Sequence, residues 1–235
     1  MNSDAKKYIA VLLAMLMCVA IAYNAGKSSQ SDSQDNKYLY SLNRSELDNL
    51  FLVDGPIYVI GHKSPDSDTV CSAIAYADIL NKLGKEAVAA VTDKPNNETA
   101  YILETAKVET PEILYDASGL NIMLVDHSEY AQAVDDLVDG NIVGVIDHHG
   151  VGTVSTGHQV LYNAKPIGST ATIMYMTYLN YGLEIEPKIA HLLLGAVLSD
   201  TDNLSGSTTI EADRIAVKAL AEIAGVNDVD RKSVV

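Results

Sequence analysis

The sequence predicts an α/β fold, in which a parallel β-sheet carries helices on both faces. Short and nearly continuous apolar runs recur in the middle of the chain, as in strands that are buried on both sides. Stretches of helical length separate these runs, and after residue 165 only helical patterns follow. The predicted strands are 57–61, 87–91, 122–126 and 142–146, and the predicted helices are 68–83, 97–107, 129–138, 169–181, 187–198 and 209–224.

The chain begins with a segment that differs from the rest. A short basic head precedes an almost wholly apolar run over residues 8–22. This pattern is typical of a secretory signal, because a full membrane span needs about twenty apolar residues. We expect residues 1–25 to form an apolar helix, either a signal peptide or a membrane anchor that contacts the membrane through residues 8–22. We would then expect the protein to be exported or anchored to the membrane. A flexible polar tether lies within a linker at 26–54, in which residues 43–53 could form a short helix.

The folded body is predicted to cover residues 55–228, followed by a C-terminal tail at 229–235. The run Ile57 to Ile60 reads as a buried strand, and the small and apolar residues after it read as a helix. Gly84 lies where a C-terminal cap would end this first helix.

Composition limits the partners of the chain. The 235 residues carry a formal charge of -15 and only two cysteines, Cys18 and Cys71. A surface this acidic repels the nucleic-acid backbone, so we expect no long nucleic acid as a partner. Two cysteines, one of them within the N-terminal apolar run, make a disulfide framework improbable.

The loop between the first strand and the first helix carries one imidazole and two carboxylates within seven residues, His62, Asp66 and Asp68. Nitrogen and oxygen ligands presented from adjacent backbone suit a divalent metal. The same loop ends at a helix N-terminus, where free N–H groups favour an anion such as phosphate. The combination predicts metal-assisted phosphate chemistry.

Acidic residues and histidines also end three later apolar runs. Asp126 ends one predicted strand, the triplet Asp147-His148-His149 ends the next, and Asp200 ends a helical run. Sites in open parallel sheets gather at the carboxyl ends of strands, so these side chains could meet. Together they would repel one another unless cations were bound, and two divalent ions would remove that cost. This predicts hydrolysis of a phosphoester or phosphoanhydride.

These motifs resemble those of the DHH phosphoesterase superfamily and, within it, of the manganese-dependent (family II) inorganic pyrophosphatases. The segments that carry the resemblance are 61–77, 124–127, 145–149, 166–171 and 198–201. The resemblance implies a DHH-type domain that hydrolyses pyrophosphate to two phosphates through a metal-bridging hydroxide. It also implies two Mn²⁺ ions, which Co²⁺ or Mg²⁺ could replace, and a homodimer.

The resemblance also implies a role for each site residue. One metal would be bound by His62 and Asp66, and the other by Asp68, His148 and Asp200. Asp126 would bridge the two metals. His149 would contact the phosphate and act as an acid, so that Asp126 and His149 are the catalytic pair. Asp147 would orient a ligand histidine, and Ser169 and Thr170 would line the substrate crevice.

Three departures from the family lead to a more specific expectation. Family members have a second domain with a cationic clamp, and this domain would follow Val235. Gly150 stands where an arginine is common in the family. The family is cytoplasmic, whereas this chain begins with an export-like segment. We therefore expect metal binding with weak or absent pyrophosphatase activity, because cationic clamps stabilise the transferring phosphoryl group. Two alternatives remain open here. One is a phosphodiesterase for short oligonucleotides or cyclic dinucleotides, and the other is a non-catalytic metal-binding remnant.

Overall fold

A six-stranded, entirely parallel β-sheet forms the centre of the protein, with the strand order β3-β2-β1-β4-β5-β6. The structure is a computed structural model and describes residues 53–227. The predicted parallel α/β fold is confirmed. The strands are β1 Ile57–Ile60, β2 Ala87–Val91, β3 Glu112–Ile113, β4 Asn121–Val125, β5 Asn141–Asp147 and β6 Leu161–Ala164.

The α-helices pack together in one layer. The first of them contacts β1, β2 and β4, and the others contact one another around it. The helices of the described residues are α1 Ser67–Lys82, α2 Asn97–Ala106, α3 Thr170–Tyr181, α4 Pro187–Asp200 and α5 Glu211–Ala224.

The order of the strands creates a switch point between β1 and β4. The chain moves outward from β1 through β2 to β3, then returns to the other side of β1 and moves outward again through β4, β5 and β6. Crossovers between parallel strands are right-handed, so connections that run in opposite directions lie on opposite faces of the sheet. At the switch point the chain leaves the carboxyl ends of two neighbouring strands in opposite directions, which opens a crevice there.

The second face of the sheet is covered differently from the prediction. A buried apolar cluster there joins Ile60, Leu124 and Val145 to Val134 and Leu137 from the β4–β5 connection. This connection contains two short 3₁₀ turns, Tyr130–Gln132 and Leu137–Asp139, so the predicted helix at 129–138 is wrong. Within the described residues, α-helices therefore do not cover both faces. Asp136 has a left-handed backbone (φ 54°), which interrupts any helix through this segment.

Local signals set most helix ends. The Asp66 carboxylate accepts a hydrogen bond from Thr69 N at 3.0 Å and begins α1, and Gly84 (φ 86°) follows its end as expected. Asn96 caps α2 in the same way, through Thr99 N at 2.8 Å. Two edge strands, β3 and β6, had no strong sequence signal, because they are two and four residues long and only partly apolar.

The predictions for the N-terminal segment lie outside the described residues. They comprise the apolar helix and signal or anchor at 1–25, the membrane contact at 8–22 and most of the linker at 26–54. They stay predictions, as does the tail at 229–235. Among residues 53–227, no helix combines the length and the apolar character that crossing a membrane requires.

Candidate metal centre

The crevice at the switch point gathers histidine and aspartate side chains from four segments of the chain. His62 and Asp66 lie on the β1–α1 loop, Asp126 follows β4, and Asp200 ends α4. In three overlapping groups, one ligand atom of each residue lies within 4.8 Å of the others in its group. The groups are His62, Asp66 and Asp126; Asp68, His148 and Asp200; and Asp126, His148 and His149.

His62 faces two carboxylates. Its Nε2 lies 3.5 Å from Asp66 Oδ2 and 3.4 Å from Asp126 Oδ2. Its Nδ1 lies 2.8 Å from the carbonyl oxygen of Lys63, which can only accept, so Nδ1 carries the proton and Nε2 faces the carboxylates. Burial alone would lower the pKa of His62, but Asp126 and Asp66 outweigh burial and raise the pKa to about 10. Without a metal, the imidazole therefore holds a proton where a cation would bind.

His148 has the same arrangement in a more buried place. Its Nδ1 lies 2.9 Å from the carbonyl oxygen of Ile167, which fixes the tautomer. Its Nε2 is buried and forms no hydrogen bond, although three carboxylates surround it. The distances from Nε2 are 3.2 Å to Asp200 Oδ2, 3.5 Å to Asp126 Oδ1 and 3.9 Å to Asp68 Oδ2. A buried nitrogen lone pair without a partner, directed at three carboxylates, fits a divalent metal ligand.

Asp68 binds the N-terminus of α3. Its carboxylate accepts hydrogen bonds from Ser169 Oγ at 2.8 Å, Thr170 N at 2.6 Å and Ala171 N at 2.8 Å. Asp68 is only 1% exposed, and Ser169 and Thr170 are fully buried. The N-terminus of α3, where Ser169 and Thr170 were expected to line the substrate crevice, therefore holds a carboxylate of the protein itself.

Asp126 lies at the centre of the cluster in a strained conformation. Its backbone is left-handed (φ 65°), which is uncommon for a residue other than glycine and tends to occur at functional sites. Two hydroxyls hold its carboxylate, Thr69 Oγ1 at 2.7 Å and Thr170 Oγ1 at 2.9 Å. Thr69 was not predicted as a site residue. Its position directly after the predicted ligand Asp68 was the sequence signal that could have indicated it.

The buried carboxylates raise the free-energy cost of ionising one another. Burial raises the pKa of Asp68 well above its usual range, and the neighbouring Asp126, Asp200 and Asp66 add to the effect. Burial, followed by Asp126 and Asp66, raises the pKa of Asp200 to about 7. Like charges in a shared buried site cause such shifts, and bound divalent cations would reverse them.

His149 lies at the open side of the cluster, with 54% of its side chain exposed. Its Nδ1 lies 3.0 Å from Asp147 Oδ1, and this contact is the main reason that the pKa of His149 is raised. Ser128 Oγ donates to the other oxygen of Asp147 at 3.2 Å. Asp147 therefore orients His149 and leaves the Nε2 of that ring for a ligand.

One further histidine lies beside the cluster. His127 is 2% exposed, its Nδ1 lies 3.1 Å from the carbonyl oxygen of Val125, and its ring meets the His62 ring edge-on at 6.3 Å between centroids. Burial lowers its pKa, so it is neutral. It belongs to none of the three ligand groups.

The fold and this cluster define an α/β protein with a candidate metal site at the carboxyl ends of parallel strands. Residues 56–197 match the family model described as "DHH family, N-terminal domain", and the chain belongs to that family.

Two relatives and one solved structure are also similar to this chain. The chain is 47% identical over 171 residues to a Shouchella clausii protein, and 41% identical over 173 residues to one from Bacillus subtilis. Both are assigned as manganese-dependent inorganic pyrophosphatases. The matches cover 72% and 73% of this chain but 55% and 56% of the relatives, so the chain spans about half of their length. The crystal structure of a Methanococcus jannaschii protein assigned to the family II inorganic pyrophosphatases superposes with a TM-score of 0.71 at 39% identity, covering 76% of this chain and 60% of that one.

Proposed function

We propose that the chain hydrolyses inorganic pyrophosphate with the help of divalent metal ions, Mn²⁺ first among them. One observation carries the proposal: His148 Nε2 is buried without a hydrogen-bond partner among three carboxylates, in a cluster whose other half is built on His62. The manganese-dependent pyrophosphatases among the relatives support both the metal and the substrate.

We assign the metal ligands from the two outer groups of the cluster. His62 and Asp66 would hold one ion, and Asp68, His148 and Asp200 the other. Asp126 would contribute to both sites, because its carboxylate oxygens lie 3.4 Å from His62 Nε2 and 3.5 Å from His148 Nε2. Carboxylates with imidazole nitrogens suit Mn²⁺, and also accommodate Co²⁺ or Mg²⁺ with different strengths. The hydrogen bond to a backbone carbonyl places a proton on Nδ1 of each ligand histidine, so Nε2 is the nitrogen that would bind metal. In His62 the cation would displace the second proton from Nε2.

The chemistry follows from the charge of the site. Bound divalent ions lower the pKa of a water molecule, which supplies the nucleophile near neutral pH. Attack on one phosphorus breaks its bond to the bridging oxygen, and that oxygen leaves with the second phosphate. His149, whose pKa Asp147 raises, would protonate this leaving oxygen from Nε2. Asp147 keeps the His149 ring in the required tautomer.

For Ser169 and Thr170 we propose positioning of the metal ligands and not contact with the substrate. Both are fully buried, and their hydroxyls donate to Asp68 and Asp126 respectively. Partners of this kind orient ligands and tune metal affinity.

Local charge favours a slow reaction by this chain. Gly150 follows the Asp147 triplet and carries no charge, and the Lys63 ammonium is paired with Asp135 at 2.6 Å. Lysine and arginine clamps otherwise stabilise charge on the transferring phosphoryl group. We therefore expect a turnover below about 10 per second, a typical enzyme rate.

A parallel assay of the purified 235-residue chain tests the proposal. Phosphate release is measured from pyrophosphate and, separately, mononucleotide release is measured from a linear dinucleotide, with Mn²⁺ and with EDTA. We expect slow, Mn²⁺-dependent release from pyrophosphate that the Asp126→Asn variant loses. Faster cleavage of the dinucleotide would contradict the substrate assignment, and equal release in EDTA would contradict the metal dependence.

A further inference from the structure

Asp213 is a fully buried carboxylate that lies outside all three ligand groups. Three donors surround it: Gly168 N at 3.0 Å and Ile210 N at 2.8 Å donate to Oδ2, and Thr172 Oγ1 donates to Oδ1 at 2.7 Å. Removing a buried carboxylate that accepts three hydrogen bonds is costly, since each of the three donors would then lose its partner.

Only one of these three bonds belongs to the helix that carries Asp213. The bond from Ile210 N caps the start of α5. The other two reach across more than forty residues of sequence to the turn that begins α3, residues 167–172. A role limited to capping α5 would leave these two bonds unexplained.

That turn contacts three of the proposed metal ligands. The Ile167 carbonyl fixes the tautomer of His148, Ser169 Oγ holds Asp68, and the Thr170 hydroxyl holds Asp126.

Gly168 shows how tightly the turn is held against Asp213. A Cβ atom at this position would lie 2.7 Å from Asp213 Oδ2 and 2.6 Å from Thr201 Cγ2. Glycine is therefore required for the approach. Thr201 directly follows Asp200, the proposed metal ligand at the end of α4. Gly168 therefore also packs against the end of that helix.

We propose that Asp213 is a positioning residue of the metal centre, which fixes the turn at 167–172 so that Asp68, Asp126 and His148 are held in the arrangement that binds metal. The inference rests on the metal centre of the proposed function but not on its substrate. The affinity of the chain for Mn²⁺ reports on it without any turnover.

Isothermal titration of the metal-free full-length chain with Mn²⁺ tests this role. We expect Asp213→Ala to raise the dissociation constant roughly 10- to 100-fold, as loss of outer-shell partners does. Asp213→Asn should restore affinity to within about threefold, because its oxygen can accept from both backbone N–H groups while its amide donates to Thr172 Oγ1. Thr172→Val, which keeps the cap on α5, should weaken binding by about three- to tenfold.

Asn96→Ala is the matched control. It removes a side-chain hydrogen bond that caps the start of α2, where the bond from Thr99 N is 2.8 Å long. It should lower the melting temperature of the metal-free chain without changing Mn²⁺ affinity. If Asp213→Ala and Thr172→Val behaved like this control, the positioning role would be wrong. If Asp213→Ala failed to fold, the Mn²⁺ affinity of Thr172→Val alone would decide whether the positioning role is correct.

The outcomes for the unsubstituted chain separate this inference from the proposed reaction. Mn²⁺ binding without hydrolysis of pyrophosphate would remove the proposed function, and the role of Asp213 would still be judged on the affinities of its variants. Failure of the unsubstituted chain to bind Mn²⁺ would overturn both.

Discussion

The Asp68 carboxylate occupies the N-terminus of α3, where its Oδ2 accepts a hydrogen bond from Thr170 N at 2.6 Å. A helix N-terminus at the edge of a phosphate-processing site commonly binds the phosphate itself. Here the partial positive charge of the helix is directed at a side chain of the protein, with Ser169 Oγ and Ala171 N as further donors. The helix therefore stabilises the proposed metal centre, and the substrate must be bound by other groups.

Thr170→Val tests this division of roles. It removes the hydroxyl that donates to Asp126 at 2.9 Å and keeps the backbone bond to Asp68. We expect a Mn²⁺ dissociation constant roughly tenfold higher, while the KM for pyrophosphate at saturating Mn²⁺ is unchanged. Titration and steady-state kinetics measure the two quantities separately. An increase in KM with unchanged Mn²⁺ affinity would restore Thr170 to the substrate crevice.

Asp126→Asn should weaken both metal positions at once. Asp126 lies 3.4 Å from His62 Nε2 and 3.5 Å from His148 Nε2, between the two halves of the cluster. We expect the titration with Mn²⁺ to lose both binding events, with affinity lower by at least about 100-fold. Asp139→Asn, at an exposed position on a 3₁₀ turn, is the control and should bind as the unsubstituted chain does. Loss of one binding event alone would contradict the shared role.

His149→Gln should separate catalysis from metal binding. We expect kcat to fall by about 100-fold or more, in the range for loss of a general acid, while Mn²⁺ affinity stays within about threefold of the original. Because the pKa of His149 is raised, the unsubstituted chain should lose kcat as pH rises through that pKa, and the variant should not. A large loss of Mn²⁺ affinity in the variant would instead make His149 a metal ligand.

The metal-free chain should be less stable at pH 8.5 than at pH 5.5. The pKa of Asp200 is raised to about 7 and that of Asp68 is raised well above its usual range, and burial is the main cause of both shifts. A carboxyl with a raised pKa stabilises the folded state below its unfolded pKa, and this stability is lost as pH rises through the folded pKa. We expect a melting temperature at least about 4 °C lower at pH 8.5 in EDTA.

Of the other titrating groups, the carboxyls change this result little, and the histidines act in both directions. The carboxyls with lowered pKa, Asp66 and Asp147, are ionised in both states above pH 5.5. His62, with a raised pKa, acts in the same direction as Asp200, and the buried His127, with a lowered pKa, acts in the opposite direction. Added Mn²⁺ binds the ionised ligands and should reverse the trend. Higher stability at pH 8.5 in EDTA would contradict the electrostatic account.

The sequence predicted the parts of the fold that depend on local patterns. The buried strands β1, β2, β4 and β5 have continuous apolar runs, and the helix ends at Gly84 and Gly182 carry the residue that a left-handed cap requires. The helix predicted at 129–138 failed because its apolar residues pack on the sheet from 3₁₀ turns and loops, with Asp136 in a left-handed conformation. Tertiary packing decided that segment, and its composition did not.

The residues of the site could likewise be predicted only in part from the sequence. Residues at strand ends could be predicted to meet, because parallel strands present their carboxyl ends at one edge. The partners that hold them could not, since a hydroxyl such as Thr69 or Ser128 has no spacing that links it to a carboxylate in another segment. Asp213 is the clearest case: its bonds to the turn at 167–172 depend on how α5 packs beside α3.

The central claim is that two divalent ions share the cluster around Asp126. Anomalous diffraction at the manganese edge from crystals of the full-length chain grown with Mn²⁺ tests it most directly. We predict two peaks about 3.5–4 Å apart, one beside His62 and Asp66, the other beside His148 and Asp200, with Asp126 contacting both. A map without a peak at this cluster, or with a single peak that Asp126 does not contact, would contradict the account.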